Sequence, residues 1–261
     1  MEVRILSPAL LMHPADRVHR ALEFARAGLN QTEIARRTGV PRRTISEWVR
    51  HGPPRGRLRT HAACPRCGSD AHAFDELPQS YTYLLGLYLG DGCISTHPRD
   101  VYKLRIVLDT RYPGILRECE QAMRTVLPGS KVARHKRESN CAEIYSYSKA
   151  WPCLVPQHGP GRKHERRIVL RDWQWRHVIR DPGLLLRGLV HSDGCRFTNT
   201  GRGAWRHPRY SFCNVSDDIK KIFCDACDLL GLHWTVAPPK TIYVSRKDDV
   251  ALLDEFVGPK R

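Results

Sequence analysis

The sequence predicts an α+β fold in which a duplicated domain of helices and antiparallel strands follows a small all-helical module. Two successive copies of one element order, α-β-β-α-β-β-α, are predicted over residues 78–261, and they imply a pseudo-twofold domain. Each copy begins with an apolar helix that ends in Asp-Gly-Cys. Residues 1–56 instead show three short stretches with apolar residues at helical spacing, and residues 57–77 form a basic linker.

The charge balance indicates a polyanionic partner. The 261 residues include 43 Lys and Arg against 27 Asp and Glu, a formal net charge of +16. Such a field attracts nucleic acid, and the alternative is a basic surface that only keeps the protein soluble. No apolar run approaches the roughly 20 residues needed to cross a bilayer, and the N-terminus lacks the features of a signal peptide. We therefore expect a cytoplasmic protein without a membrane partner, whose ten cysteines are reduced thiols.

Residues 1–56 are expected to form a DNA-binding module. Apolar spacing predicts helices over residues 16–27, 31–38 and 42–50. The stretch NQTEIARRTGVPRRTISEWVRHG resembles a helix-turn-helix of the resolvase or homeodomain-like kind, whose second helix enters the major groove. The last helix would bury Ile45, Trp48 and Val49, and it would turn toward DNA the side chains of Arg42, Arg43, Thr44, Ser46 and Glu47. A three-helix bundle with a basic face is the alternative.

The linker contains half of a zinc motif. Cys64 and Cys67 have the spacing at which two thiolates bind one tetrahedral zinc ion, and His61 and His72 could complete the shell. No second Cys-x2-Cys pair follows at 12 to 20 residues, as a full motif would require. Cys224 and Cys227 share the spacing, but on an amphipathic segment this is simply one face of a helix. Ordinary thiols remain the alternative to a structural zinc.

The two motif helices explain the duplication. Gly86 and Gly90 are four residues apart, as are Gly188 and Ser192, and small residues at this spacing let two helices approach closely. Close packing would place Asp91 and Asp193 side by side at two helix C-termini, where they repel each other and meet the negative ends of the helix dipoles. A hard divalent cation with oxygen ligands, Mg²⁺ or Mn²⁺, would resolve that conflict. The alternative is a pair of capping aspartates in Asp-Gly turns.

These stretches, LLGLYLGDG at 84–92 and LRGLVHSDG at 186–194, resemble the two motifs that name the LAGLIDADG homing endonucleases. The resemblance covers the last 184 residues. It implies that the motif helices pack at the pseudo-dyad, with each acidic residue beside the DNA minor groove and bound to catalytic metal. It also implies a polar residue on the strand before each copy's second helix, near the metal-bound water.

Asp109 and Ser216 occupy that polar position, although Asp109 replaces the more usual amide and could instead cap the following helix. The resemblance further implies a basic residue beyond each copy's last helix, close to the scissile phosphate. Lys163 and Lys260 fit because HGPGRK at 158–163 resembles VGPKR at 257–261. A plain contact to a backbone phosphate is the alternative for Lys163.

Charge placement adds a DNA-reading surface. Residues 131–180 hold twelve Lys or Arg against four Asp or Glu, a net charge of +8. The strand KVARHK alternates basic and apolar residues, which predicts that one face meets the core while Lys131, Arg134 and Lys136 face the DNA major groove.

Three functions follow from these features. The leading hypothesis is a site-specific DNA endonuclease that acts as a monomer and cuts both strands of a long asymmetric site. The alternatives are a catalytically inactive DNA-binding regulator that keeps the same scaffold, and an RNA-splicing maturase. Retention of both Asp91 and Asp193 favours the endonuclease, since an inactive copy has no electrostatic reason to keep two repelling acids.

Overall fold

Two units make up the chain, and they join in sequence between His72 and Ala73. The computed structural model describes residues 15–52, 64, 67–68, 72–137, 140–201, 206–258 and 260. Among the helices of these residues, none is both long enough and apolar enough to cross a membrane.

The first unit contains three helices: α1 (Ala15–Arg26), α2 (Gln31–Thr38) and α3 (Arg42–His51). Helix α2 begins where the Asn30 side chain accepts a hydrogen bond from the Glu33 backbone N–H, 2.9 Å away. It ends at Gly39, whose φ of 68° is readily adopted by glycine. The core shared by the three helices consists of Val18, Ala21, Ile34, Val40, Ile45 and Trp48. The predicted helices of this unit therefore match the observed ones closely.

Helix α3 is rotated relative to the sequence prediction. Thr44, predicted to face DNA, is buried, while Val49, predicted to be buried, is 48% exposed. Ile45 and Trp48 define the buried stripe of α3. Thr44 extends this stripe in place of Val49. Arg42 and Arg43 are exposed, and Ser46 is partly exposed.

The second unit repeats one order of elements, which confirms the predicted α+β class. The first copy comprises α4 (Ser80–Asp91), β1 (Gly92–His97), β2 (Val101–Asp109), α5 (Pro113–Val126), β3 (Val132–Lys136), β4 (Cys141–Ser148) and α6 (Trp151–Leu154). The second copy comprises α8 (Pro182–Asp193), β5 (Gly194–Thr200), β6 (Arg206–Cys213), α9 (Asp217–Leu229), β7 (Trp234–Ala237), β8 (Thr241–Val244) and α10 (Lys247–Phe256).

Each copy forms one antiparallel sheet of four strands, in the order β1-β2-β4-β3 and β5-β6-β8-β7. Each motif helix leads directly into an edge strand, since β1 begins at Gly92 and β5 at Gly194. Buried residues alternate along the central strands, as Leu104, Ile106 and Leu108 do on β2. One face of the first sheet therefore packs on the core, and the other carries the intervening residues.

The two copies differ where they close. The closing helix α10 has ten residues, whereas α6 has only four. A further helix, α7 (Asp172–Arg180), lies between the copies. A buried hydrogen-bond network joins it to α4, because the Gln174 amide donates to the Tyr81 hydroxyl at 2.7 Å and this hydroxyl donates to the Leu154 carbonyl at 2.8 Å. These hydrogen bonds hold α7 against the first motif helix, α4.

Candidate active site at the paired motif helices

Helices α4 and α8 pack against each other through backbone. A Cβ atom added at Gly86 would lie 2.5 Å from the Leu185 carbonyl oxygen, and one added at Gly188 would lie 2.3 Å from the Tyr83 carbonyl oxygen. Both added atoms would also lie 2.9 Å from the Cα of the opposite glycine. Only glycine permits this contact, and its symmetry places the pseudo-dyad between Gly86 and Gly188.

The close packing brings Asp91 and Asp193 to one end of the helix pair. Each aspartate is the last residue of its helix. A Cβ added at Gly90 of α4 would lie 3.1 Å from Asp193 Oδ2 of α8, so this carboxylate lies against the opposite helix. Asp91 keeps a solvent-exposed face, and Asp193 is partly exposed.

Electrostatics disfavour ionisation of both acids. Burial and the Asp193 charge raise the pKa of Asp91 to about 6, although Lys163 and Lys260 act in the opposite direction. Burial also raises the pKa of Asp193, while a hydrogen bond from Asn214 lowers it. Among the described residues, no hydrogen-bond donor contacts the Asp91 carboxylate. Two adjacent carboxylates whose ionisation is disfavoured, those of Asp91 and Asp193, suit a divalent cation, which would stabilise their charged forms.

Asn214 was missed by the sequence prediction, which named Ser216 instead. Its Nδ2 atom donates a 2.7 Å hydrogen bond to Asp193 Oδ2. Its Oδ1 atom accepts from the Ser216 N–H at 2.8 Å. Ser216 itself is buried and caps α9, since its hydroxyl accepts from the Ile219 N–H. The Asn-x-Ser turn before a helix was the available signal, because asparagine often holds such turns with its side chain.

Asp109 holds the corresponding turn in the first copy. Its carboxylate accepts from the Arg111 N–H at 2.9 Å and from the Arg111 guanidinium at 2.8 and 2.6 Å. These hydrogen bonds lower the pKa of Asp109, and the positive charge of Lys260 lowers it further. Asp109 is therefore an ionised acid that is already paired, in contrast to Asp91.

Lys163 lies at the end of the first motif helix. Its ammonium donates to the carbonyl oxygens of Tyr88 at 2.7 Å and Leu89 at 2.8 Å, and also to that of Gly90. Burial lowers its pKa to about 8, against the attraction of Asp193 and Asp91. All three ammonium protons thus serve the last turn of α4, and the charge opposes the negative end of the helix dipole.

Lys260 is the second cation near the acids. Burial lowers its pKa, whereas the charges of Asp91, Asp193 and Asp109 raise it. Its Nζ atom lies 5.7 Å from the centroid of the Tyr112 ring. The structure therefore brings both predicted lysines and both motif aspartates into one electrostatic cluster.

A cleft of about 480 Å³ opens beside this cluster. Its lining comes from both copies and includes Cys93 of β1, Lys163, Asp193, Cys213 of β6, and Asn214. Several basic side chains of the segment between the copies also line it, namely Arg162, His164 and Arg166.

The open face of the first sheet is basic and aromatic. Lys103 and Arg105 alternate with the buried residues of β2, and the register places them opposite Tyr147 and Tyr145 of β4. The Lys103 ammonium lies 4.2 Å from the centroid of the Tyr145 ring. In the second sheet the corresponding face pairs Phe197 with Arg209.

The expected alternation on β3 is reversed by the register. Arg134 pairs with Ile144 and Lys136 with Ala142, and both partners are buried. Arg134 therefore lies on the helix-covered face, where its Nε donates to Glu120 of α5 at 2.6 Å. Lys131 precedes the strand and is exposed. The basic residues of the open face include Lys103 and Arg105 of β2, which the sequence prediction did not name.

Of the four predicted zinc ligands, three lie within the described residues. Cys64 is partly exposed, Cys67 is buried and His72 is partly exposed. The fourth, His61, lies outside the described residues.

Comparison with known proteins gives one family match and several structural likenesses. Residues 14–51 match the model of a homeodomain-like domain. No significant match was found among curated proteins. The homing endonuclease I-DmoI in complex with DNA and Mn has 15% identity and a TM-score of 0.47, with 69% of this chain and 96% of that chain covered.

Two further solved structures are similar at the same level. The homing endonuclease I-WcaI bound to its DNA recognition sequence has 12% identity and a TM-score of 0.46, with 70% of this chain and 83% of that chain covered. Full-length DUF199/WhiA from Thermatoga maritima has 13% identity and a TM-score of 0.43, with 72% and 60% covered. None of these likenesses transfers a residue role or an activity to this chain.

Proposed function

We propose that the protein is a site-specific DNA endonuclease of the LAGLIDADG type that makes metal-dependent double-strand cuts. The observation that carries the proposal is the pair Asp91 and Asp193, held by backbone-to-backbone packing at the ends of two equivalent helices. Burial raises the pKa of both acids, and the charge of Asp193 raises the pKa of Asp91 further, which supports an acid pair that is held at an energetic cost. Such pairs are concentrated at functional sites, where a ligand resolves the conflict.

The donor set fits a hard divalent cation. Asp91 accepts no hydrogen bond within the described residues, and Asp193 retains one carboxylate oxygen beyond the one bonded to Asn214. Asp91 and Asp193 would therefore hold Mg²⁺ or Mn²⁺. When bound, such an ion supplies an activated water or stabilises the oxygens of phosphodiester displacement.

The chain's own residues prepare this site in three ways. Asn214 stabilises the ionised form of Asp193 and fixes its orientation. Lys163 restrains the final turn of α4, from which Asp91 projects. Lys163 and Lys260 together place positive charge next to the acids, where a phosphate would otherwise be repelled.

DNA binding is assigned to the open faces of the two sheets and to the helix-turn-helix. On β2, Arg105 lies opposite Tyr145, so this face offers a cation for phosphate contacts and planar side chains for base edges, while the Lys103 ammonium pairs with Glu143. In the first unit, Arg42 and Arg43 are exposed at the start of α3. The match of residues 14–51 to a homeodomain-like domain supports a second DNA contact.

The decisive experiment compares Asp91→Asn and Asp193→Asn with the wild type. Cutting of a randomised DNA library with Mg²⁺ would first yield the target site, and its binding would be measured in Ca²⁺. We expect each variant to lose cutting by two orders of magnitude or more (~3 kcal/mol of transition-state stabilisation) while it still binds, because affinity comes mainly from phosphate contacts. Asp248→Asn, which removes an exposed acid on α10, is the matched control and should cut normally. Full double-strand cutting by either motif variant would exclude the paired-acid mechanism.

A second candidate is a DNA-binding regulator without nuclease activity. The observation that favours it is the helix-turn-helix itself, a module that suffices for sequence-specific binding. The same randomised DNA library would identify such a regulator, because the protein would bind one site tightly and would not cut it with any divalent metal.

We further propose that one chain is the active unit, because the two copies already provide both acids and both sheets. Cleavage should then rise in direct proportion to protein concentration, and sedimentation of the complex should show one chain per DNA. A rate that rises with the square of concentration would contradict this.

A further inference from the structure

Cys64 and Cys67 belong to a tight turn. The Gly68 N–H donates to the Cys64 carbonyl at 2.8 Å. Gly68 has a φ of 68°, a conformation that favours glycine. This hydrogen bond closes the turn that contains both cysteines, as expected where two thiols separated by two residues converge on one point.

His72 joins the two thiols. Its Nε2 atom lies 3.2 Å from the sulfur of Cys67. The ligand atoms of Cys64, Cys67 and His72 all lie within 4.8 Å of one another. In a tetrahedral zinc site, sulfur and nitrogen ligands lie roughly 3.5 to 3.8 Å apart, as bonds of about 2.3 and 2.0 Å require. The three atoms thus need only small side-chain adjustments to share one ion.

We propose that Cys64, Cys67 and His72 bind a structural zinc ion. The set of soft thiolates and an imidazole selects zinc over the hard cations that suit Asp91 and Asp193. A structural site takes four ligands, so one donor beyond these three would complete the shell. The ion constrains the segment between the helix-turn-helix and the first motif helix in sequence, and it takes no part in phosphodiester chemistry.

Cys224 and Cys227 provide an internal comparison. They have the same spacing, but both lie on α9 and are buried. Burial raises the pKa of both thiols, which keeps them protonated. Among the described residues, no histidine or acid joins them in a group of potential ligands. Spacing alone therefore does not make a zinc site in this chain.

The test measures metal content and ligand type in the full chain. After reconstitution with zinc and removal of excess, the wild type should contain about one zinc per chain by mass spectrometry. The double variant Cys64→Ser and Cys67→Ser should contain none, whereas Cys224→Ala and Cys227→Ala should keep its zinc. Circular dichroism checks that both variants are folded.

Substitution with Co²⁺ in the wild type provides evidence that does not depend on the folding of any variant. We expect the visible bands of tetrahedral cobalt together with a near-ultraviolet thiolate charge-transfer band, and His72→Ala should change the visible bands because it removes the imidazole ligand. A wild type that retains no zinc, or a cobalt spectrum without thiolate bands, would overturn the proposal. A disulfide between Cys64 and Cys67 that persists in the presence of a reductant would also overturn it. None of these results depends on cutting, so failure of the zinc site and failure of the endonuclease are distinguished.

Discussion

Replacing Asp91 by Asn should stabilise the protein at neutral pH. The substitution keeps the shape of the side chain and removes its charge. In the folded protein, burial and the neighbouring Asp193 raise the pKa of Asp91 to about 6 from the ordinary value of 3.8. The ionised carboxylate is therefore a net cost to folding, which asparagine avoids.

The size of the gain follows from the shift. A difference of about two pH units corresponds to about 3 kcal/mol at about 1.4 kcal/mol per unit, and this is an upper limit. The carboxylate keeps an exposed face, so solvent screens part of the repulsion. We expect an increase of about 1 to 2 kcal/mol in the free energy of unfolding at neutral pH.

The pH dependence is the sharper test. Between pH 3.8 and about 6 the folded wild type holds a proton on Asp91 that the unfolded chain has released, so its stability falls as pH rises through this window. The variant should thus be no more stable than the wild type near pH 4 and should show its full advantage above about pH 7.

The difference between the two proteins isolates Asp91 from other titrating groups. Burial lowers the pKa of His191 to about 4, so its own contribution to stability rises with pH between about 4 and 6.5. Because His191 is present in both proteins, its contribution cancels to first order when one is subtracted from the other.

The assay is urea unfolding at about pH 4.5 and about pH 7.5 without added divalent metal. Asp109→Asn is the control, since Arg111 lowers the pKa of this acid and its replacement should give no gain. An Asp91→Asn variant that is no more stable at the higher pH, or equally stabilised at both, would refute the electrostatic account of the site.

Three further perturbations test the helix contact, the acid environment and the DNA surface. Gly188→Ala should destabilise the protein by about 2 kcal/mol or more in urea unfolding, because the added Cβ would clash with the backbone of α4, 2.3 Å from the Tyr83 carbonyl oxygen. Gly159→Ala, whose nearest neighbour is a side chain 3.5 Å away, should be nearly neutral, and equal effects would contradict the packing argument. Asn214→Ala should raise the pKa of Asp193 further and so move the pH–rate profile of cutting to higher pH, and an unchanged profile would remove Asn214 from the site. Arg42→Ala should lower the slope of log affinity against log salt by about 1, and an unchanged slope would mean that this arginine contacts no phosphate.

Much of the fold could be predicted because it depends on local patterns. The period of apolar residues distinguishes helices from strands, and glycine and proline mark many of the ends. Helix α2 accordingly spans the predicted residues, and α4 and α8 end at the Asp of each Asp-Gly pair. The pairing of Gly86 with Gly188 was also accessible, since the same small-residue spacing recurs in both copies.

Orientation was harder to predict than element type. Thr44 and Val49 exchanged places because a one-residue error rotates a helix by about 100°, which is enough to move a residue from surface to core. Arg134 and Lys136 lie on the helix-covered face because their pairing with Ile144 and Ala142 sets their direction, and strand register is a property of two strands.

The sequence by itself therefore determined the class of fold, the duplication, and the two acids on which the proposed chemistry depends. The tertiary structure decided which groups surround those acids. Asn214 contacts Asp193 because a turn and a helix end converge, and Lys163 contacts the end of α4 across more than 70 intervening residues. Such contacts join segments distant in the chain, and no local periodicity encodes them. They depend on helix packing and strand register, which are settled only when the whole unit folds.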